Sequence, residues 1–225
     1  MAARALCSVS IDLDPLDCYY GIHGLGAPPE QLAEVVLRRG LPRFLEVFAR
    51  RGMAATFFVV GRDLDAEAGR LIVREAARAG HELGNHSYSH FYDLHERTRE
   101  EMGVEVDRAH ALIAEVGGAP PVGFRAPGYN LSPALLDAVI ARGYRYDSSV
   151  LPAPPYMGAK ALVMAGMRLV GRTSGSALAD PRLSLAPTTP YRPDARRPWR
   201  RGQASLSTTV ARCTPSASCS AGWSA

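Results

Sequence analysis

The sequence predicts an α/β fold built on a parallel sheet or barrel. Three observations predict it. About five strand-like runs alternate with helix-like segments over the first 150 residues. One of those runs, Ala54–Val60, is continuously apolar and β-prone, the pattern of a strand covered on both faces. The residues best suited to chemistry, Asp12, Asp14, His86, Arg125 and Asp147, fall at predicted strand ends, where such folds carry their sites.

In chain order, Ala5–Asp12 reads as the first strand. Pro29–Gly40 and Pro42–Gly52 read as helices, each opening with proline and stopping at glycine. Ala54–Val60 is the second strand. Leu64–Ala79 is helical, with Leu64, Ala68, Leu71, Ile72, Ala76 and Ala79 on one side and Gly80 as the stop. His81–Asn85 is a short strand. Thr98 and Glu101 have the spacing of a capping box and open a helix striped by Met102, Val106, Ala109, Ile113 and Val116. Val122–Ala126 is the fourth strand. Ser132 caps a helix with Pro133 at its first position and Gly143 at its end, and Tyr144–Asp147 is the fifth strand. Beyond Pro152, Met157–Val170 is apolar and Arg182–Ala186 is compatible with one more strand.

The 225 residues fit one large domain or two small ones, and 47% hydrophobic residues supply a sizeable core. No apolar run reaches the roughly 18 residues of a membrane span. The N-terminus lacks a basic segment followed by an apolar one, so the expected location is cytoplasmic. Four cysteines without CxxC spacing argue against a disulfide framework or a cysteine zinc site. The net charge is +4, but residues 195–225 hold five arginines and no acid, which leaves −1 on the remainder. The basicity belongs to a tail, which argues against a nucleic-acid face. Residues 1–190 are therefore read as the domain. Residues 191–225, rich in Arg, Ser and Pro, are read as a disordered tail or a frameshift product of a GC-rich gene, since the chain has one lysine against 25 arginines.

Asp12 and Asp14 lie on the same side of an extended strand. His86 and His90, spaced i and i+4, can face one way on a helical turn. One carboxylate with two imidazoles is a donor set for a water-activating metal, and the second carboxylate can accept a proton. The plainer alternatives are a solvated turn at the aspartates and an unremarkable pair of histidines. Arg125, flanked by apolar residues, pairs with a carboxylate, either Asp147 or Asp12. Gly128, after Pro127, offers a backbone N–H to a developing oxyanion. His23, in the glycine-rich loop after the aspartates, and Tyr129 are the candidates for substrate binding. His81 reads as a core or supporting residue, and His95 and His110 as surface.

The ordered set SxDxD, ATFFVVG, HELGNHSYSH, GFRAPGY and YRYDSS resembles the polysaccharide deacetylases of the NodB-homology type, carbohydrate esterase family 4. The resemblance covers about residues 5–155, with a weaker extension to about 190. It looks like the variant branch with one residue between the first two aspartates. The resemblance implies a distorted, incomplete (β/α) barrel, here with its C-terminal part truncated or replaced. It also implies hydrolysis of an N-acyl amide, usually an N-acetyl group on a glycan; the variant branch extends to cyclic-imide or allantoin-like amides. By position it assigns Asp14, His86 and His90 to the metal, Asp12 to the general base, Arg125 to orienting that base, Asp147 to supporting the arginine and Gly128 to the oxyanion. The implied metal is Zn²⁺, with Co²⁺, Ni²⁺ or Mn²⁺ also compatible. The family's last motif carries a histidine that protonates the leaving amine, and this chain has none after His110. Without that acid roughly 10²–10⁴-fold in rate is lost, so a catalytically impaired glycan-binding remnant is the alternative. A DxD glycosyltransferase explains the two aspartates but neither the histidines nor Arg125.

Overall fold

Five short strands form one sheet, all parallel and in chain order: β1 (Ser10–Asp12), β2 (Thr56–Val59), β3 (Glu82–Asn85), β4 (Gly123–Phe124) and β5 (Tyr146–Asp147). The structure, a computed structural model, describes residues 8–150, 154–169 and 171. Its helices are α1 (Leu16–Ile22), α2 (Leu41–Arg51), α3 (Glu67–Arg78), α4 (Arg99–Gly117), α5 (Pro133–Ala141) and α6 (Pro154–Leu169). Parallel neighbours need crossovers, and the first five helices supply them. The five strand–helix units expected from the alternation are all present.

The register aligns the strand ends. Asp12 pairs with Phe58, Val59 with Asn85, Asn85 with Phe124 and Phe124 with Asp147. Each ladder runs one bond further, through the N–H groups of Leu13, His86, Arg125 and Ser148. The residues after every strand therefore leave the sheet at one level.

The sheet is curled. Arg125, after β4, donates to Asp12 and to the Ser10 hydroxyl (2.8 Å), both on β1. In a flat sheet these strands stand about 14 Å apart, three spacings of about 4.8 Å, and their side chains project off the face rather than along it. The contact requires the sheet to bend into the wall of a half-barrel.

Two apolar clusters cover the convex side. One joins α2, α3 and the C-terminal half of α4 to Phe57, Val59 and Leu83; the other joins Met102 and Val106 of α4 and Leu135 and Val139 of α5 to Phe124. The expected α4 stripe is fully buried, and the Thr98–Glu101 capping box is formed from both sides. Ser132 caps α5 by accepting from Leu135 N–H.

Some expectations need correction. Pro29–Gly40 is not a separate helix: a 3₁₀ turn (Glu30–Leu32) is followed by a π turn (Val36–Gly40) that runs straight into α2. Gly40 keeps helical dihedrals and does not stop the chain. Pro42 has no N–H, and its ring crowds the carbonyl four residues back, which a widened turn relieves. The buried face of α3 is Gly69, Val73 and Ala76, whereas Leu71 is 51% exposed. Helix α1 follows directly on the aspartates, where the sequence suggested only a turn and a glycine-rich loop. His81 lies in the core, its Nδ1 accepting from Ala55 N–H. Neither His95 nor His110 is a surface residue: both are partly buried, and His110 Nδ1 lies 2.9 Å from the Tyr144 hydroxyl. The possible strand Arg182–Ala186, the boundary at 190 and the 191–225 tail lie outside the described residues. Among the described residues no helix is long and apolar enough to cross a membrane.

Gly69 fixes how α3 sits. A Cβ there would stand 2.0 Å from the Asp63 carbonyl oxygen, so Gly69→Ala must push the helix off the preceding turn. Overpacking of this kind costs about 1–3 kcal/mol, and urea denaturation should show a lower midpoint with unchanged slope. An unchanged midpoint would mean that α3 does not pack as closely as described.

Candidate active site

The aligned strand ends deliver the site. Leu13, only 1% exposed, points into the core, so alternation turns Asp12 and Asp14 to the opposite side together. His86 leaves β3, Arg125 leaves β4 and Ser148 leaves β5.

Asp14, His86 and His90 converge. The Nε2 atoms of His86 and His90 lie 3.1 and 3.2 Å from one oxygen, Asp14 Oδ1. His86 Nδ1 sits 2.7 Å from the Arg125 carbonyl. A carbonyl only accepts, so Nδ1 carries the proton and Nε2 of the neutral ring presents a lone pair to a carboxylate oxygen. Asp14 Oδ1, both Nε2 atoms and His90 Nδ1 are buried without a hydrogen-bond partner. Clustered lone pairs of this kind are costly unless a cation lies among them. The three ligand atoms fall within 4.8 Å of one another, so the residues fit a divalent ion. Burial resists the Asp14 charge, but the two imidazoles beside it outweigh burial and hold the carboxyl well below the usual carboxylate range. Burial also lowers the pKa of His90. At His86 the same burial is overcome, chiefly by Asp14, and the pKa rises, so a bound ion would have to displace a second proton from Nε2.

The histidines do not reach this arrangement on a helical turn. Residues 86–90 form a loop in which Ser87 and His90 have positive φ, 61° and 57°. Non-glycine residues pay roughly 1–2 kcal/mol each for that region. Side chains hold the loop there: Asn85 Oδ1 accepts from Ser87 N–H (2.8 Å), and Ser87 Oγ accepts from His90 N–H (3.1 Å). Ser87 and Tyr88 carbonyls accept from the N–H groups of Gly61 and Arg62, after β2.

Asp12 is held differently. Arg125 donates Nη1 to Asp12 Oδ1, and the Tyr129 hydroxyl donates to Oδ2 at 3.1 Å. Arg125 is itself 7% exposed and donates to the Ser148 carbonyl (3.0 Å) and hydroxyl (2.7 Å) as well as to Ser10. Its guanidinium lies 4.1 Å over the Phe58 ring. Of the two carboxylates offered by the sequence, Arg125 therefore takes Asp12.

Asp147 accepts instead from the N–H and hydroxyl of Ser149 (2.9 and 2.6 Å), and Ser149 Oγ accepts from Ala126 N–H. The support of Arg125 expected of it is not a direct contact: Arg125 donates to Asp12, Ser10 and Ser148, and none of its bonds goes to Asp147. Burial pushes the Asp147 carboxyl up to about 6, against the pull of Ser149 and Arg125. Gly128 has a φ of 62°, and a Cβ there would meet the Tyr92 ring at 2.7 Å. Its N–H has no carbonyl partner among the described residues. Tyr129, assigned to substrate, is engaged with Asp12. His23 is exposed at the end of α1, and its side chain joins none of these bonds.

Four contributors had no role assigned from the sequence. Tyr19, on the unforeseen α1, donates its hydroxyl to Asp14 Oδ2 (2.9 Å). Arg62 holds α1 in place through Asp17. Ser148 and Ser149 lay within the YRYDSS motif but had no assigned role.

A family model described as polysaccharide deacetylase matches residues 34–146, which begins after Asp12 and Asp14 but includes His86, His90, Arg125 and Gly128. A peptidoglycan deacetylase of Helicobacter pylori is 28% identical over 155 residues, covering 67% of this chain and 51% of that protein. A chitooligosaccharide deacetylase of Rhizobium leguminosarum is 35% identical over 80 residues, covering 35% of this chain and 34% of that protein. Among solved structures, a Mycobacterium smegmatis protein assigned to the polysaccharide deacetylases aligns with a TM-score of 0.56 at 26% identity, covering 64% of this chain and 50% of that one. The chain spans about half the length of the curated relatives it matches over most of its own.

Proposed function

The chain belongs to the polysaccharide deacetylase family, and from that premise we propose that it hydrolyses an N-acyl amide, foremost the N-acetyl group of a glycan such as peptidoglycan or a chitooligosaccharide. The observation that carries this reading is the pairing of an unsatisfied Asp14–His86–His90 cluster with a separately held carboxylate, Asp12. Asp14, His86 and His90 would hold a divalent ion, with Zn²⁺ first and Co²⁺, Ni²⁺ or Mn²⁺ as substitutes. Such an ion supplies Lewis acidity, lowering the pKa of water and polarising the amide carbonyl.

The remaining work falls to the chain. Arg125 and Tyr129 fix the Asp12 carboxylate and still leave it lone pairs to accept a proton from the attacking water. The Gly128 N–H, which has no carbonyl partner among the described residues, would donate to the carbonyl oxygen as charge develops there. Asp12, once protonated, would return that proton to the leaving amine. The Asp147–Ser149–Ala126 chain positions the backbone from which Arg125 and Gly128 project. Residues 1–190 are proposed as the unit that carries this activity.

The test is acetate release from N-acetylglucosamine oligomers and peptidoglycan, with and without added zinc, alongside metal analysis of the purified protein. Divalent-ion-dependent acetate release is expected, with His86→Ala losing both metal and activity. No bound ion and no acetate would overturn the reading. Glycan binding without acetate release would favour the second reading, a binding remnant of the same fold.

A further inference from the structure

Glu105, on α4, is a buried carboxylate that the proposed chemistry does not use. It is 7% exposed, and no cation stands in ion-pair contact with it among the described residues. Burying such a charge is unfavourable unless its oxygens are engaged. Both are engaged by one residue: Oε2 accepts from Ser89 N–H at 2.7 Å and Oε1 from the Ser89 hydroxyl at 2.8 Å. Ser89 lies inside the loop that carries the two histidines, immediately before His90 and between its two left-handed residues. The internal bonds of that loop tie Ser87 to Asn85 and His90 to Ser87. Asn85 itself reaches α4 at the start of the loop, its Nδ2 donating to the Val106 carbonyl (3.0 Å), but only the Glu105 bonds join α4 to the residue next to His90. Helix α4 is firmly anchored, since Met102, Val106, Ala109, Ile113 and Val116 are all buried.

We infer that Glu105 is a positioning residue, which clamps Ser89 to α4 and so holds the strained 86–90 loop in the conformation that aims His90 at Asp14. The inference rests on the metal reading above for its consequence, but the clamp itself can be observed without metal. Glutamine can keep both bonds, with Oε1 accepting from Ser89 N–H and Nε2 donating to Ser89 Oγ. Leucine keeps neither.

Two measurements on the full chain test it. The first is zinc affinity of chelator-stripped protein by competition titration. Glu105→Leu is expected to weaken binding about 10–100-fold, as loss of a ligand's supporting partner does, while Glu105→Gln stays within a few-fold of wild type. The second is amide hydrogen exchange at Ser89 in stripped protein, where protection should survive in Glu105→Gln and fall in Glu105→Leu. Ser89→Ala, which leaves the core intact, supplies an intermediate loss of affinity if the leucine variant fails to fold. Wild-type affinity and wild-type Ser89 protection in Glu105→Leu would overturn the inference. So would a glutamine variant as weak as the leucine one, since charge rather than hydrogen bonding would then matter. A wild-type chain that takes up no zinc would instead overturn the metal reading, and the exchange experiment would still decide on the clamp.

Discussion

Arg125→Ala should be the most damaging single substitution in this half-barrel, costing about 3–5 kcal/mol of folding stability because it strands a partner carboxylate. Asp12 would lose its cation beside a second carboxylate, Asp14. Ser10, on β1, and Ser148, after β5, would lose the donor that joins them across the sheet. Activity should fall by about 10²-fold or more in whatever fraction remains folded, because a base displaced by about an ångström is a poor base. Arg125→Lys tests geometry against charge: an ammonium keeps the charge but cannot donate to Asp12, Ser10 and Ser148 in one plane. We expect it to recover part of the stability and little of the rate. Denaturant unfolding and acetate-release kinetics measure both effects, and wild-type stability in Arg125→Ala would refute the proposed bridging.

Asp12→Asn should lower kcat by about 10²–10⁴-fold while leaving metal content unchanged. An amide fills the same space and can still accept from Arg125, so the fold is expected to persist. The opposite pattern, lost metal with retained turnover per bound ion, would exchange the roles proposed for Asp12 and Asp14. The structure separates the two before any assay: Asp12 faces a guanidinium and a phenol, whereas Asp14 faces two imidazoles and the Tyr19 phenol.

Much of the fold was legible because it is local. Apolar runs bounded by glycine and proline marked the strands and most helices, and the Thr98 box and the Ser132 cap announced helix starts to within a residue. Strand ends could be read as site positions because a parallel sheet brings them to one level. The rest depends on contacts distant in sequence. Arg125 and Asp12 are 113 residues apart, and nothing near either one says that the arginine will prefer Asp12 to Asp147. The HxxxH spacing suggested a helical turn; the actual loop depends on Asn85 and the two serines to stabilise left-handed residues that spacing alone cannot reveal. Helix α1 is short, has no side-chain cap and carries no buried residue, so neither capping nor periodicity could have announced it.

The loop and the arginine differ in what adaptation can do with them. At Ser87, function holds the backbone where a glycine would rest more easily, so greater stability and a well-aimed ligand are in competition. At Arg125 there is no such competition. The side chain that bends the sheet also orients the base, so a variant selected only for robustness would keep it, and one selected only for turnover would keep it too. Laboratory evolution of this chain should therefore leave position 125 unchanged under either pressure, while position 87 drifts only under selection for stability.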